Sequence, residues 1–272
     1  NSLKHVHISA AQSFEAAEIL SIAKSTNAKV IFVDAVANME GLPTVDLRLL
    51  AEMIQNTGDW SDRYIVVDGT LVSGGSDVFR WFSHPHHPTV LYYESASKYA
   101  QLGLDLQMAG VCVYPTLLDE RMRHLRRNTS TTMYPRNALL IPVADAHSYN
   151  RRMRVLAENA EYFATLLMES SISDVAEIRY PFEWKQLGLR HGGALVTLRF
   201  HQSGLNNKNG LEALIDRILQ SARKLDVALV KGLSFGFSTT RVSAASSIAI
   251  NCDPFLRFSV GIDQLEVPNL GQ

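Results

Sequence analysis

Three short apolar runs constrain this chain more than anything else in it, because each ends on polar residues. Lys29-Val-Ile-Phe-Val33 runs into Asp34, Tyr64-Ile-Val-Val67 into Asp68, and Val90-Leu-Tyr-Tyr93 into Glu94-Ser-Ala-Ser97 and then Lys98. Short runs rich in β-branched and aromatic residues read as buried strands. A fourth is expected at Ala109–Val113. Between them lie helical patterns: an apolar stripe from Phe14 to Ser25, and a stretch capped by Asp46 that turns Leu47, Leu49, Leu50 and Met53 inward as far as Gln55. Strand–helix–strand alternation with continuous apolar strands predicts an α/β fold with a mostly parallel sheet covered on both faces. Such sheets bind ligands beyond the carboxyl ends of their strands. That is where Asp34, Asp68 and Lys98 fall.

The texture changes after Pro115. Thr116–Arg127 is an amphipathic helix with a basic end, and Asn137–Glu169 reads as one or two long helices interrupted near Pro142. Beyond Ser170 the pattern becomes a smaller α+β unit, with strands near 175–179, 194–200 and 255–260 and a helix over 211–224. The expected division is a large domain over 1–136, linking helices over 137–170 and a C-terminal domain over 171–272. An alternating pattern at 5–8 suggests a further short strand.

A net charge of −1 argues against a partner bound through bulk electrostatics, so neither nucleic acid nor an acidic membrane surface is expected. The arginines ending the 116–127 helix suit the helix dipole and a solvated face. No apolar run is long enough for a membrane span, and the N-terminus has no signal-peptide pattern, which makes the cytoplasm the expected location. Cys112 and Cys252 lie in apolar sequence and read as core fillers. His84-Pro-His-His87 reads as a surface loop rather than a metal cluster, since two prolines interrupt it and no acid or thiol is near.

An acid, an amide (Asn38), two hydroxyls (Ser95 and Ser97) and a lysine on one sheet edge suit pyridoxal 5′-phosphate (PLP). A partly desolvated lysine amine is a nucleophile toward an aldehyde. A carboxylate facing the pyridine nitrogen keeps that nitrogen protonated, and hydroxyls can hold the phosphate.

The ordered motifs resemble the cystathionine γ-synthase-like, Cys/Met-metabolism branch of fold-type-I PLP enzymes. The resemblance is carried by Val33-Asp-Ala-Val-Ala-Asn38, Val67-Asp-Gly-Thr70, Ser95-Ala-Ser-Lys-Tyr99, Arg152-Met153, Glu158-Asn-Ala160, His191-Gly-Gly193, Ser234-Phe-Gly-Phe237 and Arg257-Phe-Ser-Val-Gly-Ile262. It implies the large domain of the aspartate aminotransferase-like PLP-dependent transferases, followed by a smaller α+β domain. Lys98 would form the Schiff base and shuttle protons. Asp68 would pair with the pyridinium, Ser95, Ser97 and Thr70 would serve the phosphate side, and Asn38 would lie near the ring hydroxyl and the substrate. Arg257 would hold the substrate carboxylate in a bidentate fork, with Ser234 beside it. The implied reaction is β- or γ-elimination or replacement on a Cys-, Met- or homoserine-type amino acid. The alternatives are transamination, a carbon–carbon step, or a catalytically silent relative.

The chain also departs from the family. The family's N-terminal portion is absent, so the sequence reads as a fragment, a processed chain or half of a split enzyme. It is expected to form a dimer or tetramer, or to join a partner supplying that portion. The family's Asn after the pyridine-facing acid is Gly69, its Asn-Pro is Asn38-Met39, its Gly-Gly-His-Ser-Asp after the lysine is Ala100–Asp105, and its C-terminal helix is cut short at Val267–Gln272.

Overall fold

The computed structural model describes residues 6–142, 145–246 and 253–263. Two sheets organise them. The first has the order β1-β2-β3-β4, built from β1 (Val30–Asp34), β2 (Tyr64–Asp68), β3 (Thr89–Ser95) and β4 (Gly110–Val113). The first three are parallel in direct register, and β4 runs antiparallel to β3. Helices α1 (Ala16–Ser25), α2 (Leu47–Gln55) and α3 (Val78–Trp81) cover one face. The start of α2 follows from its sequence: the Asp46 carboxylate accepts the Leu49 amide at 2.8 Å.

The chain then passes through α4 (Asp119–Asn128), the single turn α5 (Pro135–Ala138) and the long helix α6 (Ala146–Glu169). Asp145 caps α6 by accepting the Ser148 amide at 2.9 Å. The second sheet has the order β5-β6-β9-β8-β7, from β5 (Ala176–Arg179), β6 (Leu195–Phe200), β7 (Leu229–Lys231), β8 (Thr240–Ala245) and β9 (Phe255–Ser259). Helix α7 (Lys208–Lys224) and the C-terminal half of α6 pack on it around Leu211, Ile215, Val242, Ala160 and Phe258.

Several expectations are corrected. The first sheet is not covered on both faces: Ile31 and Val33 are buried, but Val30 and Phe32 are 52% and 62% exposed. Their continuous apolar run reflects a second face that α4 (Asp119–Asn128) covers only in part, over Tyr64 and Leu91. Leu49 points outward, because only Leu47, Leu50, Ala51 and Ile54 fall on the buried stripe of α2. Residues 6–8 are exposed and form no strand, and His5 lies outside the described residues. Cys112 is exposed on the uncovered edge strand rather than filling a core, and Cys252 lies outside the described residues, as does the 267–272 tail. Two strands had no sequence signal: β7 is three residues long, and β8 is Thr-Arg-Val-Ser-Ala-Ala, buried by its place in the sheet rather than by its composition. His84 to His87 lies in a turn before β3, where His87 is buried edge-on against Phe82 at 5.6 Å. No helix among the described residues is long and apolar enough to cross a membrane.

Candidate active site

Lys98 follows the end of β3 by three residues and takes a backbone conformation that is neither helix nor strand, φ −103° and ψ −109°. Its Nζ donates to Ser234 Oγ at 2.8 Å and stands 5.2 Å from the centre of the Phe235 ring. Gly236 makes that meeting possible. It has φ +91°, and a Cβ there would lie 2.8 Å from the Lys98 carbonyl carbon, so only glycine lets the 234–236 segment reach the lysine backbone. Desolvation pulls the Lys98 amine below its ordinary value and the Arg257 charge adds to this, while Asp105 opposes it. Its nearest hydrogen-bond partner is thus a neutral hydroxyl, which does not hold the proton on.

Asp68 ends β2, where it accepts the Thr70 amide at 2.8 Å. The Thr70 hydroxyl in turn accepts the Ser95 amide at 3.0 Å, tying the acid's turn to the start of the lysine's. Ser95 Oγ and Ser97 Oγ are 3.0 Å apart, two hydroxyls on one small turn. Asp34 lies beside Asp68 in the parallel register, and burial, together with the Asp68 charge, pushes its carboxyl up.

Arg257 enters from β9, an interior strand of the second sheet, and is only 6% exposed. Its Nη1 donates to Asn38 Oδ1 at 2.7 Å, and its Nη2 donates to the Leu233 carbonyl. Its Nε is buried without a partner. A guanidinium held by two protein acceptors with one donor unsatisfied retains capacity for a further acceptor.

All eight sequence-derived site residues therefore fall into linked groups: Lys98 with Ser234, Asp68 with Thr70 and Ser95, Ser95 with Ser97, and Arg257 with Asn38. The field of Arg257 at Lys98 joins the lysine to the arginine. Three supports were not foreseen from sequence. The Leu233 carbonyl holds Arg257. Arg152 donates to the Gly236 carbonyl at 3.0 Å, and Asn159 donates to the Gly261 carbonyl at 2.9 Å. The last two lie in motifs that carry the resemblance, and both brace the segments that deliver Ser234 and Arg257.

No protein-family model matches the chain. The bifunctional enzyme flvA of Aspergillus flavus is 44% identical over 271 residues, which is 100% of this chain and 33% of that protein. Among solved structures, cystathionine γ-synthase from Xanthomonas oryzae pv. oryzae, in complex with aminoacrylate and cysteine, superposes with a TM-score of 0.68 at 19% identity, covering 90% of this chain and 62% of that one. The methionine γ-lyase CalE6 from Micromonospora echinospora gives 0.69 at 17% identity, covering 93% and 64%. Cystathionine γ-lyase from Lactobacillus plantarum, complexed with L-serine, gives 0.68 at 18%, covering 90% and 63%. The chain has the fold of these enzymes over the part it spans, a third of the curated relative and less than two thirds of the solved ones.

Proposed function

We propose that this chain carries the lysine-bearing site of a PLP-dependent enzyme acting on an amino acid by β- or γ-elimination or replacement at a Cys-, Met- or homoserine-type substrate. The observation that carries this reading is the pairing of two neighbouring cations with opposite treatment. Lys98 is desolvated and bonded only to a hydroxyl, while Arg257 is clamped by Asn38 and Leu233 with a buried donor to spare. The donor set fits the cofactor. Lys98 would hold its aldehyde, Asp68 its ring nitrogen, and Ser95, Ser97 and Thr70 its phosphate side.

The bound cofactor would supply an electron-withdrawing ring that makes a substrate Cα–H acidic. The protein's own part is proton handling and placement. Lowering the Lys98 amine's proton affinity increases the fraction able to accept a proton near neutral pH. The Ser234 hydroxyl fixes where that amine sits. Arg257 and Asn38 would hold the substrate carboxylate, so that the α-carbon stays near Lys98. The relatives solved with aminoacrylate and cysteine, or with L-serine, favour small amino-acid chemistry for this chain as well. The curated relative is called bifunctional, and we read this chain as matching part of one of its two activities. The division into 1–136, 137–170 and 171–272, a cytoplasmic location and association into dimers or tetramers belong to the same proposal. Transamination, carbon–carbon chemistry and a silent relative remain the alternatives, and product analysis with candidate amino acids separates them.

The test is borohydride reduction of the full-length protein with PLP, followed by peptide mapping. The visible band should disappear and the label should sit on Lys98. A label on another lysine, or no reducible band, overturns the reading.

A further inference from the structure

The first sheet carries a row of three polar side chains that the proposed site uses only in part. Asp34 and Asp68 are register partners across β1 and β2, and Asp68 and Tyr93 are partners across β2 and β3. Direct register in a parallel sheet projects all three side chains from one face at strand spacing, about 4.8 Å apart. Two neighbouring carboxylates repel, and in a half-buried row that repulsion is poorly screened. Left alone, the Asp68 carboxylate would swing away from Asp34.

On its other side stands Tyr93. Its phenol stands beside the Asp68 carboxylate, and desolvation with that neighbour pushes the phenol's proton affinity up, so that it keeps its proton to donate. The ring leans on Phe32 at 5.8 Å, which limits its swing, and the Tyr93 carbonyl accepts the Gly69 amide at 3.0 Å. The preceding residue works from the opposite face of the strand. The Tyr92 ring fills the space beside Gly69 so closely that a Cβ there would overlap it. The Tyr92 hydroxyl donates to Glu94, whose carboxylate also receives the Ser73 hydroxyl and, at 3.0 Å, the Gly74 amide. Consecutive tyrosines thus grip Asp68-Gly69 from both sides.

We propose that Tyr93 is a positioning residue for Asp68, holding its carboxylate against the repulsion of Asp34 so that it faces the ring nitrogen of PLP. The inference rests on the PLP reading of the site. With the Thr70 N–H donating to it and the Tyr93 phenol beside it, the carboxylate keeps acceptor capacity for one further donor. Tyr92 acts one step back, through the turn at Gly69.

The experiment compares wild-type and Tyr93→Phe full-length protein by PLP titration, by visible circular dichroism per bound cofactor, and by melting of the cofactor-free form. Loss of one hydrogen bond to a charged group should weaken PLP binding about tenfold. Dichroism per bound cofactor should fall, because the ring loses its fixed orientation, while the cofactor-free melting temperature should stay within about 2 °C. Wild-type affinity and dichroism in the variant overturn the proposal. So does a lowered melting temperature with dichroism per bound cofactor unchanged, since Tyr93 would then be only structural. Absence of PLP binding by the wild type overturns the site reading and this inference together.

Discussion

The two sheets are finished to different degrees. In the second, β9 is buried along its whole length and β6 along most of it, with α6 and α7 closing a core. In the first, one face is sealed by helices and the other exposes Val30, Phe32, Val111 and Val113 beside a groove of about 580 Å³ under α4. The second sheet contributes the buried Arg257 on an interior strand. The first contributes Lys98 and Asp68 at or just beyond strand ends, on the half with the exposed face. On the proposed reading, recognition sits in the closed half and chemistry in the open one, and covering the open face would change the environment of Lys98 and Asp68 far more than that of Arg257.

The largest effect should come from the open half's own chemistry. Lys98→Ala in the full-length protein should lower turnover by roughly 10⁴-fold, because it removes the group proposed to move protons, with the melting temperature nearly unchanged. Steady-state rates beside a melting curve decide this. A loss below tenfold would move the chemistry elsewhere.

Next is stability. Leu211 is fully buried in the second core, and Leu211→Ala should cost about 2–5 kcal/mol in urea unfolding. Phe32→Ala on the open face should cost less than about 0.5 kcal/mol. If Phe32→Ala proves as damaging as Leu211→Ala in the full-length protein, that face is covered there, by more of the polypeptide or by a second copy, and the contrast between the sheets is a property of this portion only.

A pH-dependent effect lies at the seam. His191 precedes β6 and packs against Gly75 of the first half, and burial holds its imidazole down at about 4 against an ordinary 6.5. Above pH 6.5 both folded and unfolded forms are neutral there, and it adds no pH dependence. Between 6.5 and about 4 only the unfolded chain takes up the proton, so stability falls with acidification, by about 3 kcal/mol at most. Unfolding free energies at pH 7 and pH 4.5 should show a smaller drop for His191→Gln than for the wild type. Equal drops would mean the ring is solvated.

Much of this was legible in the sequence because it is local. Asp46 caps its own helix, the runs ending in Asp34, Asp68 and Lys98 are strands with polar ends, and the break near Pro142 separates α5 from α6. Each depends on neighbours within a few positions, and spacing records such neighbours. The ordered motifs also carried the fold of the solved relatives. What the sequence could not show depends on residues far apart in the chain. An apolar run looks the same whether its second face is covered or bare, so the exposure of Phe32 was invisible. β8 has no strand-forming composition and is buried only because β7 and β9 flank it. The meeting of Arg257 with Asn38, across 219 positions, and of Lys98 with Ser234, across 136, exists only once the two halves of the fold come together and Gly236 lets the backbones touch. The sequence by itself set which groups were available. The tertiary structure decided which cation stays soft and which is clamped, because desolvation and hydrogen-bond partners are properties of place, not of residue type.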